Sequence, residues 1–476
     1  MKRPFFSNMK FIIHVFGILI IGVLMGCQKD LVQPESFDDP GSAALKSAKS
    51  TNFMIISKSE ALPDGLVDEL AKYGEIVSST PEIGVVVVKP TVSNFEKKVG
   101  KISGIRSVIK DYKARWLEPE NVQPMVNPPS IGDDEGYFYL QWGLDAIDAP
   151  EAWNTGITGA GARVFILDSG IDAENDELSS NLNSALCTSF VPGEDWNIQP
   201  GEYFNHGTFV AGIVAATDNG LGVIGVAPKA EIVAVKVLSE FTGSGNFSWI
   251  IQGIVYAADN GADVINMSLG ATFARNGFYL DEEGELQKVP ASEIQEVIIA
   301  NQRAVDYAVK KGAVVVVSAG NGGSNFDGNA FIYKLPAELN NVIAVSATAP
   351  DYWAKDFLAG VDPFLDIPAS YTDYGRSLVD IAAPGGDDDF YPQAYWQYDM
   401  IFGVGSDNTY WLADGTSFAS PHVAGVAALI ISKNEGNITN HEVEKQLLKT
   451  ADKIDGKGKS LFFGKGRVNA FRAVTE

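Results

Sequence analysis

Gly415-Thr416-Ser417-Phe418-Ala419-Ser420-Pro421-His422, continuing as Val423-Ala424-Gly425-Val426-Ala427-Ala428-Leu429, is the stretch whose reading decides the fold. From Val423 to Ile431 every side chain is small or apolar, so a helix here is apolar on all sides and belongs inside the protein. Such a helix is approachable at its start, where unpaired backbone N–H groups and the positive end of the dipole favour negative charge. Ser417 stands at that start. Pro421 is read as falling in the first turn, where a missing N–H costs little. Taken alone, Ser417 is equally a helix cap or a nucleophile. A nucleophile needs a His and an Asp to serve it, and a cap does not.

Composition bounds the alternatives. A chain of 476 residues with 46% apolar side chains holds one large globular domain and a smaller one. Its net charge of −24 argues against nucleic acid as a partner and against electrostatic attraction to anionic membranes. The two cysteines, Cys27 and Cys187, form no CxxC or Cys/His metal motif.

The amino terminus has a charged start (Lys2, Arg3, Lys10) and an apolar run from Phe11 to Met25, short for a membrane span. Residues 1–27 therefore read as a signal peptide. Leu24-Met25-Gly26-Cys27 resembles the bacterial lipobox, which implies lipidation of Cys27 and leaves no disulfide pair. The expected location is the bacterial cell envelope, exported and lipid-anchored at the outer membrane or cell surface. Residues 28–50 read as a flexible tether.

Residues 51–118 give a compact unit. Apolar runs at Phe53–Ile56, Ile76-Val77, Ile83–Val88 and Ile105–Ile109 alternate with amphipathic pieces at Leu66–Tyr73 and Phe95–Ile102, a ferredoxin-like α+β order. Residues 119–136, rich in Pro, Asn, Asp and Gly, read as a linker suited to cleavage. From 137 to 476 strands alternate with helices, as in an α/β domain with a mostly parallel sheet. The expected strands are Val164–Leu167, Ile232–Val237, Val264–Met267, Val314–Val317 and Val342–Ser346. They are continuously apolar, which predicts helices on both faces and a site beyond the carboxyl ends of the strands.

Polar residues gather at those ends. Asp168-Ser169-Gly170-Ile171-Asp172 follows the first strand directly. Asn205-His206-Gly207-Thr208-Phe209-Val210-Ala211-Gly212 opens a small-residue helix. Of the other histidines, His14 is in the signal, His441 in a charged late segment, and His422 inside the apolar helix, where a structural role fits. Ser318-Ala319-Gly320-Asn321-Gly322 offers an amide able to donate to an oxyanion. Alone, Asp168 also reads as a turn aspartate and Asn321 reads better as a turn Asn-Gly, but the chain order Asp168, His206, Ser417 is that of subtilisin.

The three boxes at Asp168, His206 and Ser417 resemble, in full, those of the subtilase serine proteases, with similarity from about Gln141 to Ala470. The resemblance implies a three-layer α/β domain and a serine endopeptidase made as a zymogen. In it Asp168 orients, His206 is base then acid, Ser417 is the nucleophile and Asn321 stabilises the oxyanion. It makes the 51–118 unit a propeptide that inhibits its own enzyme. Gly243, Ser244 and Gly245 resemble one substrate-pairing edge and Ser268, Leu269 and Gly270 the other, for protein or peptide substrates. Lys334 falls near the base of the first specificity pocket, where it would favour an acidic side chain. Structural calcium is implied at Asn219, in Thr217–Val223, with Glu177 as partner; no catalytic cofactor is implied. The competing expectation is a catalytically silent binding lipoprotein on the same fold. Insertions at 273–290, 352–369 and 386–411, the last acidic and aromatic, depart from a minimal member.

Overall fold

Continuous runs of β-branched residues build the centre of the molecule because a strand buried on both faces needs apolar side chains at every position. The computed structural model describes residues 52–117, 122–125, 135–281, 285–329, 331–456 and 458–476. Cys27, the signal and the tether lie outside the described residues. Among those described, no helix is long and apolar enough to cross a membrane.

The amino-terminal unit comprises β1 (Phe53–Ser57), α1 (Leu66–Leu70), β2 (Gly74–Thr80), β3 (Val85–Pro90), α2 (Phe95–Val99) and β4 (Ile105–Lys110). Its antiparallel sheet has the order β2-β3-β1-β4. Because side chains alternate along a strand, Ile55, Val86 and Val88 pack under the two helices with Leu66, Leu70, Phe95 and Val99. Met54, Ile56, Val85 and Ile109 point the other way and join the core of the larger domain.

Two short strands follow, β5 (Lys113–Arg115) and β6 (Val122–Met125), the second lying within the expected linker. In the larger domain come β7 (Arg163–Asp168), β8 (Thr188–Ser189), α3 (His206–Ala215), β9 (Glu231–Lys236), β10 (Ser244–Asn246), α4 (Phe247–Asp259) and β11 (Val264–Met267). Next are β12 (Ala271–Ala274), β13 (Phe278–Leu280), β14 (Leu286–Lys288), α5 (Ala291–Lys311), β15 (Val314–Ser318), β16 (Ile332–Leu335), β17 (Ile343–Ala349), β18 (Ile367–Pro368) and β19 (Ile381–Pro384). The chain ends through β20 (Ile401–Val404), β21 (Tyr410–Ala413), α6 (Thr416–Lys433) and two further helices at Asn440–Thr450 and Ala470–Thr475.

The central sheet runs β18-β17-β15-β11-β7-β9-β8 with β19 beside β17, and every pairing except β17 with β18 is parallel. Val164 and Ile166 face α3 and α6, whereas Phe165 and Leu167 face α4 and α5. The result is three layers. From β7 the chain pairs β9 on one side and later β11 on the other, so the carboxyl end of β7 is the point where the winding reverses and a crevice opens.

The insertions are built rather than loose. Residues 273–290 supply most of β12-β13-β14, a sheet completed by β16 in the order β14-β13-β12-β16. Residues 386–411 supply β20 and the first half of β21, which pairs β6. Within the acidic run Asp387 is buried and accepts from the N–H (2.5 Å) and hydroxyl (2.9 Å) of Ser370.

Asp111 ties the amino-terminal unit to the start of α4, accepting from Ser248 Oγ at 2.8 Å and Asn246 Nδ2 at 3.4 Å. Burial pushes its carboxyl from 3.8 up to about 6 despite those bonds. The folded chain thus holds the proton more tightly than the unfolded chain. The contribution to stability grows as pH falls from about 6 toward 3.8 and is lost as pH rises through about 6. In a Ser417→Ala background, calorimetry across pH 4 to 7 is expected to show the parent gaining on Asp111→Asn by on the order of 1–3 kcal/mol at the acid end. A pH-independent difference would count against this assignment.

Candidate active site

Asp168 ends β7, and its carboxylate meets His206, the first residue of α3. Nδ1 of His206 lies 2.8 Å from Oδ1 and 2.9 Å from Oδ2 of Asp168. Facing two acceptor oxygens, Nδ1 carries the proton, and Nε2 on the far side of the ring is the basic nitrogen. Both residues are buried, at 1% and 5% exposure. Ser169 steadies the pair: its N–H donates to Asp168 Oδ1 at 2.7 Å, and its hydroxyl accepts from Gly207 N–H at 3.1 Å. A Cβ on Gly207 would sit 2.1 Å from the Gly170 carbonyl and 3.2 Å from Asp168 Oδ1, so only glycine admits this approach after His206.

Ser417 is the second residue of α6 and is 6% exposed. Its hydroxyl donates to the Ser268 carbonyl at 3.4 Å, a long bond of the kind that apo sites show before substrate binds. The ring of Phe418, the next residue, is 5.7 Å from that of His206 between centroids. Pro421 lies beyond the first turn of α6, contrary to expectation. It removes the N–H that would serve the Ser417 carbonyl, and Ser268 Oγ donates to that carbonyl instead at 2.7 Å. Ser268 Oγ in turn accepts from Asn266 Nδ2 and pairs with Ser420 Oγ, each at 2.9 Å. His422 is buried, its Nδ1 donates to the Phe418 carbonyl at 2.7 Å, and burial lowers its pKa to about 4. That is a structural role.

Asn321 follows β15. Its Oδ1 accepts from the Thr416 N–H at 2.9 Å and the Thr416 hydroxyl at 2.6 Å. Two donors at one atom identify it as the oxygen and turn the Nδ2 end away from Thr416. Thr416 itself has no role in the sequence reading. Its position between Gly415 and Ser417 is the signal that could have exposed it.

The two expected substrate edges hold a strand of this same chain. β5 pairs antiparallel with β10, Ser244 opposite Arg115 and Gly245 opposite Ala114. Leu117 N–H reaches the Gly243 carbonyl at 3.4 Å, and Gly270 N–H donates to the Trp116 carbonyl at 2.8 Å. Trp116 is buried, packs edge-on against Phe247 with centroids 4.5 Å apart, and donates to the Gly245 carbonyl at 2.7 Å. Leu269 is buried between Ser268 and Gly270. Lys334 is buried beside Asp373, Nζ to Oδ2 3.6 Å.

At Glu177 and Asn219, the expected calcium ligands, the protein's own donors occupy only part of the oxygen set. Oε1 of Glu177 accepts from the N–H groups of Gly222 (2.8 Å) and Val223 (3.2 Å) and from the Tyr410 hydroxyl (2.5 Å). Asn219 Oδ1 accepts from Leu221 N–H at 2.9 Å, and the Leu221 and Gly222 carbonyls accept from Gly136 and Tyr137 N–H at 2.5 and 2.8 Å. A hard cation needs several converging oxygens; N–H and hydroxyl donors occupy Oε1 of Glu177, while its Oε2 is buried with no hydrogen-bond partner. Burial raises the Glu177 carboxyl, an effect these bonds oppose. Among the described residues, only Asp387, Asp388 and Asp414 form a group of three or more His, Cys or acidic side chains close enough to share an ion.

A buried Asp–His pair at the sheet's carboxyl edge, a serine at the start of an apolar helix and a nearby amide define a nucleophilic hydrolase site. The subtilase family profile matches residues 159–466. Subtilisin NAT of Bacillus subtilis subsp. natto is 35% identical over 412 residues, covering 83% of this chain and 91% of that protein. Thermitase of Thermoactinomyces vulgaris is 36% identical over 343 residues, 72% of this chain and 98% of its own length. The structure of the epidermin leader peptide processing serine protease from Staphylococcus aureus superposes with a TM-score of 0.69 at 22% identity, covering 89% of this chain and 97% of that one. The chain belongs to the subtilase family and is a subtilisin-like serine endopeptidase.

If Tyr410 takes the place of a cation at Glu177, chelation by EDTA leaves the melting temperature unchanged, whereas Tyr410→Phe lowers stability by about 1–3 kcal/mol because a buried carboxylate loses a hydroxyl donor. A large drop in melting temperature on chelation, restored by calcium, is the contrary result.

Proposed function

We propose that Asp168, His206 and Ser417 act as one catalytic unit in a protease made as a zymogen and exported on a lipid anchor. The observation that carries the catalytic part is the His206–Asp168 contact, which keeps the ring proton on Nδ1 and leaves Nε2 as the base. A serine hydroxyl is almost never ionised at neutral pH and needs such a base. Ser417 swings from the Ser268 carbonyl to His206, yields its proton to Nε2 and attacks the peptide carbonyl. Asp168 stabilises the imidazolium. The oxyanion is held by Asn321 Nδ2 and the Ser417 N–H, which belongs to the first turn of α6. His206 then protonates the leaving amine, and water repeats the sequence on the acyl-enzyme.

The zymogen part rests on β5: a strand of the same chain lies on β10, and Gly270 binds the following residue. Opening of the site then follows release of the 51–118 unit, by cleavage within 119–136. Export and anchoring rest on the sequence from Lys2 to Cys27 alone.

A fluorophosphonate is expected to label the mature enzyme stoichiometrically at Ser417 and not to label Ser417→Ala. Retention of label by that variant, or inertness of the parent, would sink the assignment and favour the silent binding protein. Asn321→Ala is expected to lower kcat by about 10²–10³-fold with little change in KM, the magnitude seen on losing the same donor in subtilisin. Metabolic labelling with a palmitate analogue, lost in Cys27→Ala, tests the anchor.

A further inference from the structure

Lys334 is among the largest fully buried side chains, and its charge sits beside the reaction site rather than in the hydrophobic core. Trp116 is held through its carbonyl by Gly270, and Ser268, two residues earlier on that edge, carries the carbonyl 3.4 Å from Ser417 Oγ. On an antiparallel course, a peptide lying as Trp116 does brings its residue two places further on beside Ser268. The carbonyl of that residue is the one Ser417 reaches. Beside that position the Lys334 side chain stands against both Gly270 and Gly320.

Only glycine fits at these two positions, because Lys334 and, at Gly320, Asp373 already stand against them. A Cβ on Gly270 would lie 3.0 Å from Lys334 Cε, and a Cβ on Gly320 would lie 2.4 Å from Nζ. The ammonium is fixed there by β16, whose register sets Lys334 opposite Thr272, and by Glu338, which accepts from the Lys334 N–H at 2.7 Å. Its counter-ion Asp373 is 3.6 Å away and 3% exposed. An ammonium carries three donors, so it can serve Asp373 and an incoming carboxylate together.

We propose that Lys334 makes this peptidase select an acidic side chain at the residue whose carbonyl Ser417 attacks, an inference that rests on the catalytic reading above. A carboxylate entering the pocket gains a charge-assisted bond. A lysine meets a like charge, and a leucine removes solvent from an ion pair without adding a partner. The sequence itself has Glu118 two residues after Trp116; it lies outside the described residues, and its type alone bears on the pocket.

The test compares kcat/KM of the mature enzyme on peptide anilides that differ only in the last residue, Glu, Leu or Lys. Glu is expected to exceed Leu by about tenfold and Lys by more than about a hundredfold. Lys334→Met is expected to invert the Glu to Leu ratio, and Asp373→Asn, which removes the competing carboxylate, to widen it. A Leu or Lys preference in the parent enzyme overturns the inference, as does an unchanged ratio in Asp373→Asn. The parent profile needs no variant to fold. Fluorophosphonate labelling separates the two failures: a labelled enzyme with the wrong preference overturns the pocket alone, and an unlabelled, inactive one overturns the catalytic reading.

Discussion

One oxygen atom, Oδ1 of Asn321, fixes the geometry on which the site depends. It accepts two donors from Thr416 and so caps the first turn of α6 with a side chain from the end of β15. The Thr416 hydroxyl also accepts from Gly320 N–H at 3.0 Å, which closes the link between sheet and helix in both directions. Three consequences follow from this contact. The amide is turned donor-outward, the helix start is held against the strand end, and Ser417 is placed one residue from the anchor. Ser417 and the Asn321 amide are therefore positioned by the same bonds and cannot drift apart independently.

The second constraint is the carbonyl that Pro421 leaves without its helical partner. A buried carbonyl without a donor costs on the order of 1–3 kcal/mol, and Ser268 Oγ removes that cost. Ser268 also lies on the edge that binds extended chain. The residue that repairs the helix thus sets the distance between the helix start and the peptide lying beside it. Asn266 and Ser420 hold its hydroxyl from two other directions, so the repair is rigid.

Much of this was legible because apolar pattern and polar interruption are both written locally. Val164–Leu167 is apolar at every position and Asp168 ends it, which locates a buried strand and the polar edge at its carboxyl end together. The serine, histidine and asparagine boxes were legible for the same reason. What was not legible depends on partners distant in sequence. Val122–Met125 reads as linker because it falls in a stretch rich in Pro, Asn, Asp and Gly, yet it is an outer strand against β21, where the missing N–H of Pro124 is tolerated. Residues 386–411 read as an acidic, aromatic insertion because nothing local says that Asp387 will meet Ser370 or that β21 will lead into Ser417. Glu177 and Asn219 suggested calcium because a sequence shows oxygens but not which are already hydrogen-bonded. Tyr410, more than two hundred residues away in sequence, occupies one of the two oxygens of Glu177 and leaves the other buried without a partner.

The strand in the cleft also shows how position and affinity are divided. β5 and the residues after it touch the two edges through a few backbone hydrogen bonds, each worth about 0.5–1.5 kcal/mol net. Away from the cleft, Met54, Ile56, Val85 and Ile109 bury a sheet face in the core shared with α4 and α5, at about 1.5–3 kcal/mol for each fully buried side chain. Arg303 adds bonds from Nη1 to the carbonyls of Ser57 and Ile83, both at 3.3 Å, and Arg106 pairs with Glu296 at 2.7 Å. The remote face outweighs the edge bonds, so the amino-terminal unit is held chiefly by contacts that no substrate needs. The edges that hold β5 and its continuation are generic backbone, so under the proposed function selectivity falls to the few side chains beside them.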